Sequence, residues 1–270
     1  MKARIWLTAL SLAVLAVGMV RAAPEERRAP AFGTLENTSP EAARAQAEAW
    51  LKEVGKTDAG TMQKFQAIWS QDERPVLDRL ADTFALGDAR AAQLLADARN
   101  QTTPAPTEVP ELLRDQKSPV FFRANLGLAY ARTLSARRVH DEAIATLQLF
   151  RPEQVVAPST YLFTRAVCEH ATLHKSEATK TIGRLLEEGV ASPERYRTVG
   201  LLILLDMQMW KEKDLGAVAR KMSVIGERLD IARGGPQTQK IQKEVVARLD
   251  EIIKELENKA KKNGGGGGGS

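Results

Sequence analysis

The chain contains one cysteine in 270 residues. Cys168 therefore has no partner for an internal disulfide, and the fold must rest on a hydrophobic core rather than on a covalent framework. Haem attachment, which needs two cysteines ahead of a histidine, is excluded on the same ground. Histidine is almost as scarce, with His140, His170 and His174 the only three. A phosphate-binding glycine loop is missing, as is a dinucleotide glycine pattern ahead of a strand. A His-Glu-x-x-His helix and a Gly-x-Ser-x-Gly elbow are also absent. These gaps argue against an enzyme built on a recognisable catalytic motif.

Long apolar runs are missing too, apart from one that extends from Ile5 to Val20, interrupted by Thr8, Ser11 and Gly18. Lys2 and Arg4 precede it, and Val20-Arg21-Ala22 closes it with a small-residue pattern. Basic, apolar and small-residue regions in that order mark residues 1–22 as a secretory signal peptide cut before Ala23. The run is shorter than the roughly 20 residues a spanning helix requires, so the membrane enters only if this segment stays uncleaved. Removing Lys2, Arg4 and Arg21 lowers the formal charge from +5 to +2. A charge this small does not supply the basic face of a nucleic-acid partner. The expected location is exported, periplasmic or secreted.

What the sequence does contain is helix. Residues 23–38 lack periodicity and read as a flexible lead-in. Ser39-Pro40-Glu41 then combines a capping hydroxyl, a first-turn proline and an acid that suits the helix dipole. Ser118-Pro119 and Ser192-Pro193 repeat the serine–proline part of this signal. Residues 39–100 form an N-terminal block of four short helices with apolar faces such as Ala43, Ala47, Trp50 and Leu51 at 3–4 spacing. Asp88 is the expected cap of the fourth. The proline-rich stretch 101–117 reads as a linker, and 118–233 carries longer helices that pair. The run Leu201-Leu202-Ile203-Leu204-Leu205 is apolar all round and predicts a buried helix that pairs with the next one. Gly234-Gly235-Pro236 breaks the pattern. Residues 234–262 then supply an amphipathic helix (Ile241, Val245, Leu249, Ile252, Leu256) with a short coiled-coil-like seam, expected to fold back on 214–233. Residues 263–270 are a glycine tail that cannot pack.

Within 118–233, Leu126-Gly127 and Tyr130 fall in a first unit, Ala166 with Ala178 and Ile182 in a second, and Gly200 in a third. Ala143 and Ala178 lie 35 positions apart. The segment resembles degenerate tetratricopeptide-type helical hairpins, whose period is about 34 residues. That resemblance implies an all-α chain of stacked antiparallel hairpins, a solenoid fragment flanked by the N-terminal block and a C-terminal helical hairpin. It also implies a groove lined by the first helix of each pair. On this sequence the groove positions are Phe121, Ala124, Leu128 and Arg132, then Thr160, Phe163, Val167 and His170, then Glu194, Arg197, Leu201 and Leu204. Phe121, Arg132, Thr160, Phe163, His170 and Arg197 are the candidate contacts for a protein or peptide. The groove is either open to such a partner or filled by residues 240–261 or by the N-terminal block.

Two small constellations invite chemistry. Cys168, His170, His174 and Glu177 cluster in sequence, and on one continuous helix the two histidines and Glu177 would share a metal-binding face. Ser176-Glu177 instead reads as the start of a new helix, which leaves His174 in the turn, so no metal and no cofactor is expected. Cys168 reads as a small buried apolar residue. His140-Asp141 could suggest a dyad, but Asp141 reads as a helix cap and no serine or cysteine completes a triad. The sequence points to an exported interaction or scaffold module without catalytic activity. A small-molecule or metal-binding helical protein and a structural envelope protein are the alternatives. Intact-mass measurement on protein recovered from the exported fraction of its native cells should give a chain beginning at Ala23. A mass that retains residues 1–22 would exclude cleavage.

Overall fold

The computed structural model describes residues 34–189 and 192–264. The signal segment, residues 23–33 of the lead-in and residues 265–270 of the glycine tail lie outside the described residues, while Asn263 and Gly264 continue the last helix. Among the described residues the chain is all-helical, with twelve α-helices, one 3-10 turn and no strand.

The N-terminal block contains α1 (Pro40–Glu53), α2 (Ala59–Trp69), α3 (Val76–Gly87) and α4 (Ala89–Arg99). Three of these helices begin where a side-chain oxygen accepts a first-turn amide. Ser39 Oγ receives Ala42 N at 3.2 Å, Asp58 receives Thr61 N at 2.9 Å, and Asp88 receives Arg90 N at 2.7 Å. The two later serine–proline pairs work differently from expectation. Pro119 and Pro193 themselves occupy the cap positions of their helices, with no side-chain hydrogen bond. Each serine lies one residue further out, and proline's fixed φ does the pre-organising.

Trp50 holds the block to the rest of the chain. Its indole stacks on Phe122 at 5.0 Å and 8°, and meets Phe84 edge-on at 5.0 Å; Phe84 also lies 5.1 Å from Phe122 and 5.7 Å from Phe121. Gly87 makes room for this cluster, because a Cβ there would sit 2.3 Å from the indole. Through these rings α1 and α3 fasten onto α6 (Val120–Ala136). The stretch 101–117 packs as well. It carries the one-turn helix α5 (Glu111–Arg114), with Val109 and Leu113 buried. Arg137 at the end of α6 donates to the carbonyls of Asp97, Ala98 and Thr103. Within the lead-in, Leu35 is buried and its amide bonds to Glu188 O at 3.1 Å, so residues 34–38 are pinned rather than free.

From α6 onward the chain runs in hairpins. α6 pairs with α7 (His140–Leu147), and α8 (Pro158–Ala171) pairs with α9 (Lys175–Glu188). α10 (Glu194–Gln208) packs on α8 and α9, and α11 (Leu215–Asp230) pairs with α12 (Pro236–Gly264). The expected third pair, α10 with α11, is therefore not formed. One turn device serves all three hairpins. Arg138, Leu173 and Ala232 sit at φ 61°, 62° and 61°. The next amide in each case reaches five residues back: Val139 to Leu134 O, His174 to Glu169 O, and Arg233 to Arg228 O. These are Schellman closures, which usually employ glycine at the left-handed position.

Packing within the hairpins relies on close approach and buried polar ties. A Cβ on Gly127 would lie 2.7 Å from the Phe150 ring, so only glycine lets that ring seat against α6. The Tyr161 hydroxyl lies 2.8 and 2.9 Å from the carbonyl oxygens of Leu147 and Phe150, at the end of α7. Buried Asn125 donates to Phe121 O and accepts from Val156 N, each at 2.8 Å. Glu169 on α8 is 2% exposed and is held by Arg165 Nε at 2.7 Å and by the Thr181 hydroxyl of α9 at 2.6 Å. Truncating one member of such a set strands a buried charge. Arg165→Ala should lower unfolding stability by about 3 kcal/mol, whereas the triple change Arg165→Ala, Glu169→Leu, Thr181→Val should recover most of that loss. Urea denaturation checks both, and a loss for Arg165→Ala well under about 1 kcal/mol would mean solvent already screens Glu169.

Candidate functional site

The turn ends of the α6–α7 and α8–α9 hairpins face α11 and α12, and charged side chains gather there. The Arg228 guanidinium donates to Asp141, and Arg233 reaches Glu142 at 3.0 Å as well as the carbonyls of Ala105 and Pro106. Asp141 thus ties α7 to α11 and does not cap α7, whose cap position is Val139. Burial raises the Glu142 carboxyl above its ordinary pKa despite Arg233. These contacts surround a cavity of about 220 Å³ lined by His140, His174, Glu227, Lys240, Ile241 and Glu244, among others.

His140 is the notable side chain in that cavity. It is 11% exposed, its Nε2 lies 3.9 Å from Glu227, and its Nδ1 is buried without a hydrogen-bond partner. Burial pushes the imidazole below its ordinary pKa of 6.5, against the attraction of Glu227 and Asp141 and with the repulsion of Arg138. The unfolded chain therefore takes up the proton first as pH falls. The stability that His140 contributes by staying neutral is therefore lost as pH falls through its ordinary pKa, because ∂ΔG/∂pH is positive wherever the unfolded state binds more protons.

A second polar knot joins α8, α10 and α11. His170 Nε2 lies 2.8 Å from Asp206, which also accepts from the Trp210 indole at 2.9 Å, and Arg220 covers the Trp210 ring at 4.9 Å. The His170 contact is the main reason the Asp206 carboxyl is held below its usual value. His174 instead meets the Thr172 hydroxyl at 2.8 Å at the cap of α9, and Glu177 is exposed one turn on. The metal face of His170, His174 and Glu177 is thus broken by the turn at Leu173. No group of three or more His, Cys, Asp or Glu side chains suited to a metal occurs among the described residues. Cys168 is fully buried and burial pushes its thiol up to about 12, which makes it inert as a nucleophile.

The expected groove contacts scatter. Phe121 packs against Phe84, and Arg132 pairs with Asp78 of α3, so the N-terminal block covers the α6 positions. Phe163 stacks on Tyr196 at 4.1 Å and 7°, joining α8 to α10. Thr160 is half-buried and Arg197 is exposed. The C-terminal helix does not fill this face; it lies along α11, with Lys221 to Glu244 at 2.7 Å and Arg228 to Thr238 at 2.8 Å.

The feature the sequence reading misplaced is α10 itself. The expectation of a helix buried all round fails, because Leu201, Leu202 and Leu205 are exposed. Together with Val199 and Met209, which is 79% exposed, they form an apolar stripe left largely open. Only Gly200 and Met207 of this helix are buried. The missed signal is that a helix with apolar residues on every side needs neighbours on every side, and α11, the expected one, pairs with α12. Comparison with protein-family models, with curated proteins and with solved structures yields no match, so the site stands on geometry alone. No helix among the described residues is long and apolar enough to cross a membrane.

His140→Asn should flatten the fall in stability between pH 7 and pH 5 relative to the parent chain, read as the denaturant midpoint at each pH. Parent stability that rises as pH drops would mean that a protonated His140 pairs with Glu227 instead.

Proposed function

We propose that this chain is an exported interaction or scaffold protein of the tetratricopeptide-like kind, and that the outer face of α10 receives its partner. The observation that carries the reading is the exposed stripe Val199, Leu201, Leu202, Leu205 and Met209 on α10, which packs on the α8–α9 hairpin without a pairing helix of its own. Contiguous exposed apolar surface is costly in water and marks interaction sites. Repeat arrays that end without a partner present a polar outer face instead.

Charge at the start of the stripe bears on the partner. Arg195 and Arg197 are exposed there against the single acid Glu194, whereas beyond its end Lys211 and Lys213 are offset by the exposed Glu212 and Asp214. The occupant that fits is an amphipathic helix of another protein, with an apolar face for the leucines and acidic residues at the end that meets Arg195 and Arg197.

Affinity capture from the native exported fraction, with photo-crosslinking from position 202 and mass-spectrometric mapping of the attached segment, tests this. An amphipathic helix with an acidic end should be attached, and Leu202→Glu with Leu205→Glu should abolish capture of the same protein. Equal capture by that double variant would overturn the reading.

A further inference from the structure

The α11–α12 hairpin is fastened to the body by polar ties and shares little apolar packing with it. Among the described residues α11 packs along α12, and neither helix packs along any of α1 to α10. Val218 and Val245 are buried, yet they stand outside both hydrophobic clusters of the body, which Ile231 alone of this hairpin touches. The hold comes from Arg228 on Asp141, from Arg233 on Glu142 and on the carbonyls of Ala105 and Pro106, and from Arg220 over the Trp210 ring. Trp210 itself stays with α10, because its indole donates to Asp206 of that helix. The stretch from there to α11, residues 211–214, is exposed throughout.

Two bare apolar edges flank this joint. One is the α10 stripe; the other is Leu215, Met222 and Leu229 of α11, which are 63%, 56% and 47% exposed. α12 holds α11 through Lys221 and Arg228, on another side, so the hairpin moves as one piece with that edge free. The two edges match in a single antiparallel register. Met209 comes level with Leu215, Leu202 with Met222, and Thr198 with Gly226, while Arg195 at the outer end falls within one residue of Asp230, so opposite charges meet there. A connection of this length is ordinary between antiparallel neighbours.

We infer that the hairpin is a swinging arm: when the Arg228–Asp141 and Arg233–Glu142 ties break, it turns about residues 211–214 and lays α11 over the α10 stripe. The structure described is the latched arrangement, with the stripe open. The closed one removes both apolar edges from water, and α11 then competes with a partner helix for the same face. This regulation rests on the proposed use of that face. Ion pairs hold the latched arrangement and apolar burial the closed one, so added salt weakens the first and leaves the second.

The purified full chain tests the arm by disulfide trapping with diamide. In a Cys168→Ala background, Leu202→Cys with Met222→Cys should form an intrachain disulfide, seen as loss of both thiols at monomer mass. Leu202→Cys with Lys243→Cys, on the exposed side of α12, should not. Asp141→Lys with Glu142→Lys should speed the 202–222 bond at least about tenfold with an unchanged far-ultraviolet spectrum. Should those lysines disturb folding, raising sodium chloride on the intact latch should accelerate the same bond. No 202–222 bond in either background would overturn the inference. So would equal rates for the two cysteine pairs, or a 202–222 rate indifferent to both latch and salt. Partner capture without the 202–222 bond would overturn the arm alone, and the bond without any captured protein would overturn the α10 reading alone.

Discussion

The architecture hangs on the seating of one indole. Trp50 lies flat against Phe122 and edge-on to Phe84, in a space that Gly87 keeps open. Aromatic groups of this size dominate core energetics, and their paired geometry adds about 0.5–1.5 kcal/mol per contact beyond burial. The cluster places α1 and α3 against α6, and that placement decides what the remaining helices can do. It consumes the α6 surface which the repeat resemblance would assign to a ligand. Arg132, drawn into a pair with Asp78, becomes part of the internal joint.

Polar groups set the direction of the hairpins. Schellman closures at Arg138, Leu173 and Ala232 turn each pair, and ion pairs then join turn to turn. Arg228 and Arg233 carry α11 and α12 to the acidic pair Asp141–Glu142 on α7. With α11 committed there, it is unavailable to α10, and two apolar edges stay uncovered: one on α10 and one on α11. Both bare edges follow from the same choice of partner for α11. The His140 cavity is a by-product of the crossing, because the turns and the C-terminal hairpin touch at their rims and leave a space between.

Helix positions were largely legible, because each depends on residues close in sequence. Ser39 and Asp88 cap their helices as their place ahead of an apolar pattern predicts, and Ala178 and Ile182 lie on the buried face of α9. Hairpin turns were legible only as interruptions, since non-glycine residues occupy the left-handed positions and give no compositional mark. The buried carboxylate Glu169 was invisible for a related reason: its partners Arg165 and Thr181 are individually ordinary, and only the packing of α8 on α9 brings them together. His170 was singled out for its rarity, but its partner Asp206 lies 36 positions away on another helix.

By itself the sequence determined the all-helical class, most helix starts, the inertness of a lone cysteine in an apolar pattern, and the return of the last helix along its predecessor. These are consequences of local periodicity, capping chemistry and composition. Tertiary structure alone decided which apolar faces are satisfied. Leu201–Leu205 and Leu215–Leu229 are equally apolar in sequence to residues that end up in the core, and a hydrophobic pattern states only that a face seeks cover. Whether cover exists depends on the direction of a neighbouring helix, and here α11 pairs with α12 and ties to α7 through Arg228 instead of lying over the leucines of α10.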